Sequence, residues 1–130
     1  MQEVYDFLKE SETYFLATME GDQPRVRPFG TVDIFEGKLY IQTGKSKNVS
    51  KQMLHNPKIE ICAINGERWI RIQANAIEDD RCEARQHMLD VYPDLQSMYS
   101  ADDNNTQVLY LKDAIATIYS FTEEPKVIKF

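Results

Sequence analysis

A chain of 130 residues is long enough for one domain around one core and too short for two independent ones. Its 15 basic against 21 acidic side chains, a net charge of −6, disfavour loose attachment to nucleic acid or to an anionic membrane. The two cysteines, Cys62 and Cys82, form no metal or redox motif and no disulfide framework; Cys62, inside an apolar run, reads as a core thiol.

Val4, Phe7 and Leu8 recur at helical spacing and predict a short amphipathic helix over 3–11. The β-branched and aromatic run 13–19 predicts a strand, and Glu20-Gly21-Asp22-Gln23-Pro24 a turn. Residues 25–35 are expected to continue as one strand, with Pro28 and Gly30 marking an edge, a bulge or a close backbone approach. Glu36-Gly37 turns the chain into a strand over 38–43. A helix over 46–55 follows, with Ser46 as expected N-cap, and Asn56-Pro57 ends it.

Residues 58–64 predict a strand, and Asn65-Gly66 is the strongest hairpin signal in the chain. Beyond it Trp69, Arg71, Gln73 and Asn75 alternate with Ile70, Ile72, Ala74 and Ala76, one polar and one apolar face. A helix over 81–92 stops at Pro93, and an acidic loop spans 101–105. The runs 107–111 and 114–121 are expected as two last strands, with Leu109, Leu111, Ile115, Ile118 and Tyr119 in the core or at an interface. Many short antiparallel strands in one small domain predict a mainly β, α+β barrel fold over 1–130. No stretch approaches the ~20 apolar residues of a membrane span, nor is there an apolar signal core, so a cytoplasmic protein is expected.

Charge is unevenly spread. Residues 25–58 hold seven Lys and Arg against Asp33 and Glu36, about +5, which leaves about −11 for the rest. Thr43-Gly44-Lys45-Ser46-Lys47-Asn48-Val49-Ser50-Lys51 concentrates amines, hydroxyls and an expected helix start, whose amides point outward and can receive a phosphate. Lys47 and Lys51 are four apart on that helix, and Arg25 and Arg27 two apart on a strand, so each pair shares a face. The guanidinium fork suits phosphate oxygens. The alternative reading of the same residues is a solvated, lysine-rich helix beside two water-facing arginines; the stretch has neither a Walker loop nor a dinucleotide fingerprint.

The ordered set Phe15-Leu16-Ala17-Thr18, Pro24-Arg25-Val26-Arg27-Pro28-Phe29, Leu39-Tyr40-Ile41-Gln42-Thr43, Ser46-Lys47-Asn48-Val49 and Gln52-Met53-Leu54-His55-Asn56-Pro57 resembles the FMN-binding split barrels related to pyridoxamine 5′-phosphate oxidase, especially the small nitroimidazole-resistance-like members. The resemblance implies a six-stranded antiparallel split barrel that forms a homodimer with FMN in clefts between subunits. It implies that Arg27 and Pro28 run beside the flavin, and that Gln42, Thr43 and the loop into Lys47 and Asn48 hold its phosphate, to which the spacing of charges and hydroxyls adds Arg25, Ser46 and Lys51. Trp69 and Arg71 are candidates to cover the ring from the partner subunit. Members acting on pyridoxine phosphates end in an arginine-rich segment; this sequence ends Pro125-Lys126-Val127-Ile128-Lys129-Phe130, so vitamin B6 oxidation is not expected.

The implied activity is FMN-dependent reduction of a small, electron-poor, nitroaromatic-like molecule, with NAD(P)H as donor. The alternatives are a flavin store or sensor without turnover, or a split barrel using F420 or haem. The only histidines, His55 and His87, read as surface residues rather than axial ligands, and no metal site or catalytic triad is expected.

Overall fold

The computed structural model describes residues 1–130. Helix α1 (Gln2–Ser11) buries Val4, Phe7 and Leu8, the stripe that its spacing predicts. Strand β1 (Tyr14–Glu20) pairs in full with β2 (Gln23–Phe29). Gly21, at φ 62°, makes the tight turn between them.

Residues 25–35 are two strands rather than one, β2 and β3 (Asp33–Phe35), broken at 30–32. Side-chain hydroxyls take over the backbone groups there. Tyr14 Oη donates to the Thr31 carbonyl at 2.6 Å, and Tyr92 Oη both accepts from Val32 N (3.0 Å) and donates to Val32 O (3.1 Å). The break lets the chain cross from one edge of the sheet to the other.

The hairpin partner of β3 is β4 (Lys38–Gly44). Glu36 and Gly37 both have positive φ, the signature of a type I′ turn. Helix α2 (Asn48–His55) starts two residues later than expected, and its N-cap is Lys47 rather than Ser46. Strands β5 (Lys58–Asn65) and β6 (Arg68–Glu78) form the central hairpin. Its turn is centred on Gly66-Glu67, one residue beyond the Asn65-Gly66 signal, since Asn65 still pairs with Arg68. Helix α3 (Cys82–Val91) leads into a 3₁₀ turn, Pro93–Ser97.

Two expected strands merge into one, β7 (Thr106–Ser120). Asp113 adopts φ 53°, and β7 spends three residues, from Ile115 to Lys112, where β6 spends two, from Gln73 to Asn75. This bulge absorbs an extra residue without ending the strand. It also divides the far edge of β7 between β4, which pairs with 106–110, and β8 (Lys126–Lys129), which pairs with 115–118 and was not foreseen.

The eight strands run β2-β1-β5-β6-β7-β4-β3, with β8 on β7; the expected count was six. The terminal strands β2 and β3 do not pair, yet four residue steps from Phe29 to Asp33 join them, roughly 14 Å at full stretch. The sheet therefore curls into a barrel left open between its two edges.

One main core fills the interior, with Tyr14, Leu16, Ile41, Ile61, Ile70 and Ile72 fully buried under α1 and α2. A satellite of Tyr40, Val108, Ala84 and Met88 lies beneath α3. Strand β4 is consequently buried on both faces, whereas β5 alternates strictly. Leu109, Leu111 and Ile118 belong to the core, while Ile115 and Tyr119 are half-buried. The expectation of a core thiol fails: Cys62 points outward, exposed, because β5 puts Ile61 and Ala63 inside. No helix is long and apolar enough to cross a membrane.

Candidate functional site

The basic residues of β2 converge with the start of α2. Arg25 and Arg27 pair across the hairpin with Thr18 and Leu16, both buried, so their side chains project on the inner side of the sheet at its open edge. There α2 roofs β1. The result is a cleft of about 440 Å³ lined by Glu20, Arg25, Val26, Arg27, Lys47, Asn48, Val49 and Gln52.

Its cations differ in how they are engaged. Arg27 donates from Nη1 to the Leu16 carbonyl (3.2 Å) and to Thr18 Oγ1 (2.7 Å), and from Nη2 to Gln52 Oε1 (2.7 Å). Thr18 in turn donates to Gln52 Oε1. Arg25 binds Glu20 Oε1 through Nε and Nη2 (3.2 and 2.9 Å), and Gln52 Nε2 donates to Glu20 Oε2 at 3.4 Å. The Lys47 ammonium has no hydrogen-bond or ion partner in the chain, and the residue stands at the N-cap of α2, where the Asn48 and Val49 amides lack intrahelical acceptors.

Burial, and then the neighbouring Arg25, lowers the Arg27 guanidinium from its ordinary value. Three cations face one carboxylate here, in a chain of net charge −6. The cleft offers N–H donors around a deficit of negative charge, the arrangement that receives an oxyanion.

The other candidates lie elsewhere. Lys45 is drawn away to Glu78 and Asp80, at 3.5 and 3.8 Å. Lys51 is exposed, Pro28 is exposed on β2, and neither lines the cleft. Gln42 and Thr43 are buried in β4; Gln42 donates to the Thr43 carbonyl at 3.2 Å. Ser46 caps nothing, and its amide instead donates to Asn105 Oδ1.

Trp69 and Arg71 sit on β6, three strands from β2, on the outward face. Trp69 stacks on Tyr119 with centroids 5.4 Å apart, and Arg71 Nη2 donates to Tyr119 Oη at 3.0 Å. Within one chain they do not join the cleft. His55 is exposed, and His87 Nδ1 lies 2.6 Å from Asp33 Oδ2.

Thr18, Glu20 and Gln52 take part in the site without having been singled out from sequence. Thr18 and Gln52 stand in the motifs that carry the resemblance but have no site role there; their hydrogen bonds from Arg27, 2.7 Å each and made by largely buried side chains, show that they serve it.

The model of the family described as pyridoxamine 5′-phosphate oxidase matches residues 1–118. Among solved structures, a NimC/NimA family protein from Clostridium acetobutylicum is 45% identical, with a TM-score of 0.97 over 100% of this chain and 92% of its own. General stress protein 26 from Bacillus anthracis superposes at TM-score 0.76 with 16% identity (99% and 97% covered). A protein described as FAD-binding, from Mesorhizobium loti, does so at 0.61 with 16% identity (92% and 94%). These last two likenesses show the fold alone. No curated protein sequence matches the chain. The match across nearly the whole sequence, together with the curled, open barrel, shows that this chain belongs to the pyridoxamine 5′-phosphate oxidase family and is similar throughout its length to a NimC/NimA protein.

Proposed function

We propose that this chain binds FMN and uses it to reduce small, flat, electron-poor molecules such as nitroaromatics, as a homodimer. The observation that carries the reading is the convergence of Arg25, Arg27 and Lys47 on the first turn of α2. Membership of the family, and the flavin named for the Mesorhizobium loti structure, support it.

The donor set fits a phosphate monoester. It consists of guanidinium, ammonium and amide N–H groups, while its one carboxylate, Glu20, is already engaged by Arg25 and Gln52. Lys47, the unengaged cation, meets the phosphate charge directly. Arg27 is held rigid by three acceptors and presents a fixed edge. A bound flavin would carry the two-electron chemistry between a nicotinamide donor and the acceptor; the residues here bind and orient it.

An outward apolar face supports the homodimer. Phe15 (49% exposed), Ile64 (68%), Phe121 (84%) and Val127 (56%) leave it uncovered, with Cys62 and Trp69 between them. Val26, on the same face of β2, also lines the cleft, so the cleft borders the proposed interface. Trp69 and Arg71 reach a flavin only across such an interface.

The test is a fluorescence titration with FMN and riboflavin, then anaerobic addition of NADH or NADPH, then a nitroaromatic. Micromolar FMN binding, bleaching by the nicotinamide and recovery on adding the nitroaromatic are expected. Absence of binding rejects the cofactor; binding without bleaching leaves a flavin store or carrier.

A further inference from the structure

The turn 44–47, which delivers Lys47 and the first amides of α2 to the cleft, is closed by Lys47 N donating to the Gly44 carbonyl at 3.0 Å, and its two middle amides are held from outside. Both acceptors of one distant residue grip it. The Asn105 carbonyl accepts from Lys45 N at 2.7 Å, and Asn105 Oδ1 accepts from Ser46 N at 3.0 Å. Gly44 allows the approach: a Cβ there would stand 3.1 Å from Asn105 Nδ2 and 3.2 Å from Tyr99 Oη.

Asn105 is itself pinned. Asp103 Oδ1 accepts from the amides of Asn105 (2.8 Å) and Thr106 (2.7 Å), and Asp103 Oδ2 from Ser100 N (3.0 Å) and Thr106 Oγ1 (2.9 Å). Farther along α2, the buried Ser50 hydroxyl donates to Gln107 Oε1 at 2.7 Å. The start of β7 thus braces the helix start from behind while the cleft opens in front.

We propose that Asn105 is a positioning residue for the anion site, acting through the 44–47 turn on Lys47 and the Asn48 amide. This rests on the cleft being a phosphate site. Asn105 does not line the cleft and touches no ligand there.

Inorganic phosphate and FMN are the probes, followed by the amide signals of Lys47 and Asn48 and by flavin fluorescence, with riboflavin as reference. Asn105→Ala is expected to weaken FMN and phosphate about tenfold, the loss of one well-placed hydrogen bond. Riboflavin affinity stays within about twofold. The Ser46 amide, which loses its acceptor, exchanges faster with solvent, while the Lys45 amide keeps the carbonyl of residue 105. In the Asn105→Ala/Lys47→Ala pair the combined loss falls short of the product of the single losses, because both act on one group.

Gly44→Ala, which presses on the same contact from the other side, should lower FMN and phosphate affinity selectively and provides the same reading if Asn105→Ala folds poorly. Equal losses for FMN and riboflavin, or multiplicative losses in the double variant, overturn the proposal. Phosphate binding at Lys47 without any flavin binding would reject the flavin reading and leave the positioning role standing. If neither ligand binds the intact protein, both fall.

Discussion

Arg27 donates from Nη2 to Oε1 of Gln52 at 2.7 Å, tying the edge strand β2 to helix α2 across 25 residues of sequence. Gln52 is the hub of the cleft, since Thr18 donates to the same oxygen and its own amide donates to Glu20. Replacing it leaves a buried donor on Thr18 and a half-buried one on Arg27 without their acceptor. Gln52→Ala is expected to cost about 1–3 kcal/mol, read from the midpoint of urea unfolding.

Lys47 and Lys51 separate the two readings of the lysine-rich helix. Lys47 faces the cleft without an internal partner, whereas Lys51 faces solvent. Lys47→Ala should weaken FMN by about 1.5–3 kcal/mol, the value of a hydrogen bond to a charged group, and riboflavin hardly at all. Lys51→Ala should change neither by more than about 0.5 kcal/mol. Parallel fluorescence titrations decide it, and equal effects of the two variants would remove Lys47 from the site.

Acid should unfold this protein in a defined direction. Hydrogen bonds from Arg81, against desolvation and with help from the Tyr40 hydroxyl, hold the Asp79 carboxyl far below the usual carboxylate range. For Asp103, burial alone would raise the carboxyl, but the amides of Thr106, Asn105 and Ser100 outweigh it and bring it well down. A depressed folded-state value means that the unfolded chain takes up protons first. The stabilisation is therefore complete above the ordinary carboxylate pKa, about 4, and is lost as pH falls below it. Denaturant titrations from pH 7 to 3 should show a plateau and then a decline, shallower in Asp79→Asn.

The exposed apolar face predicts self-association. Phe15 and Cys62 lie opposite each other on β1 and β5, and Ile64 lies opposite Trp69. A charge placed there would have to be buried on pairing. Ile64→Glu should shift the sedimentation coefficient from dimer to monomer while leaving the far-ultraviolet circular dichroism unchanged. A monomeric parent protein would dispose of the interface.

Local pattern was enough for much of the fold. Val4, Phe7 and Leu8 announced α1, and the alternation from Trp69 to Ala76 announced β6 with its buried isoleucines inside. Pro28 and Gly30 pointed to an edge, a bulge or a close backbone approach, and β2, which holds Pro28, is an edge strand. These features depend on residues within one or two turns or pleats of each other. The joins were less legible. β7 survives Asp113 only because β6 tolerates the register shift, and the break at 30–32 is made by hydroxyls of Tyr14 and Tyr92 from distant segments.

The amino acids by themselves determined that a basic segment sits at a strand-to-helix junction in an acidic chain. They did not determine which of its cations face one another. Lys45, Lys47 and Lys51 are chemically alike and within seven residues, yet Glu78 and Asp80 claim the first, solvent takes the third, and only the second turns into the cleft beside Arg25 and Arg27. A charge goes where its partners are, and those partners come from other strands and loops only when the sheet has curled around its core.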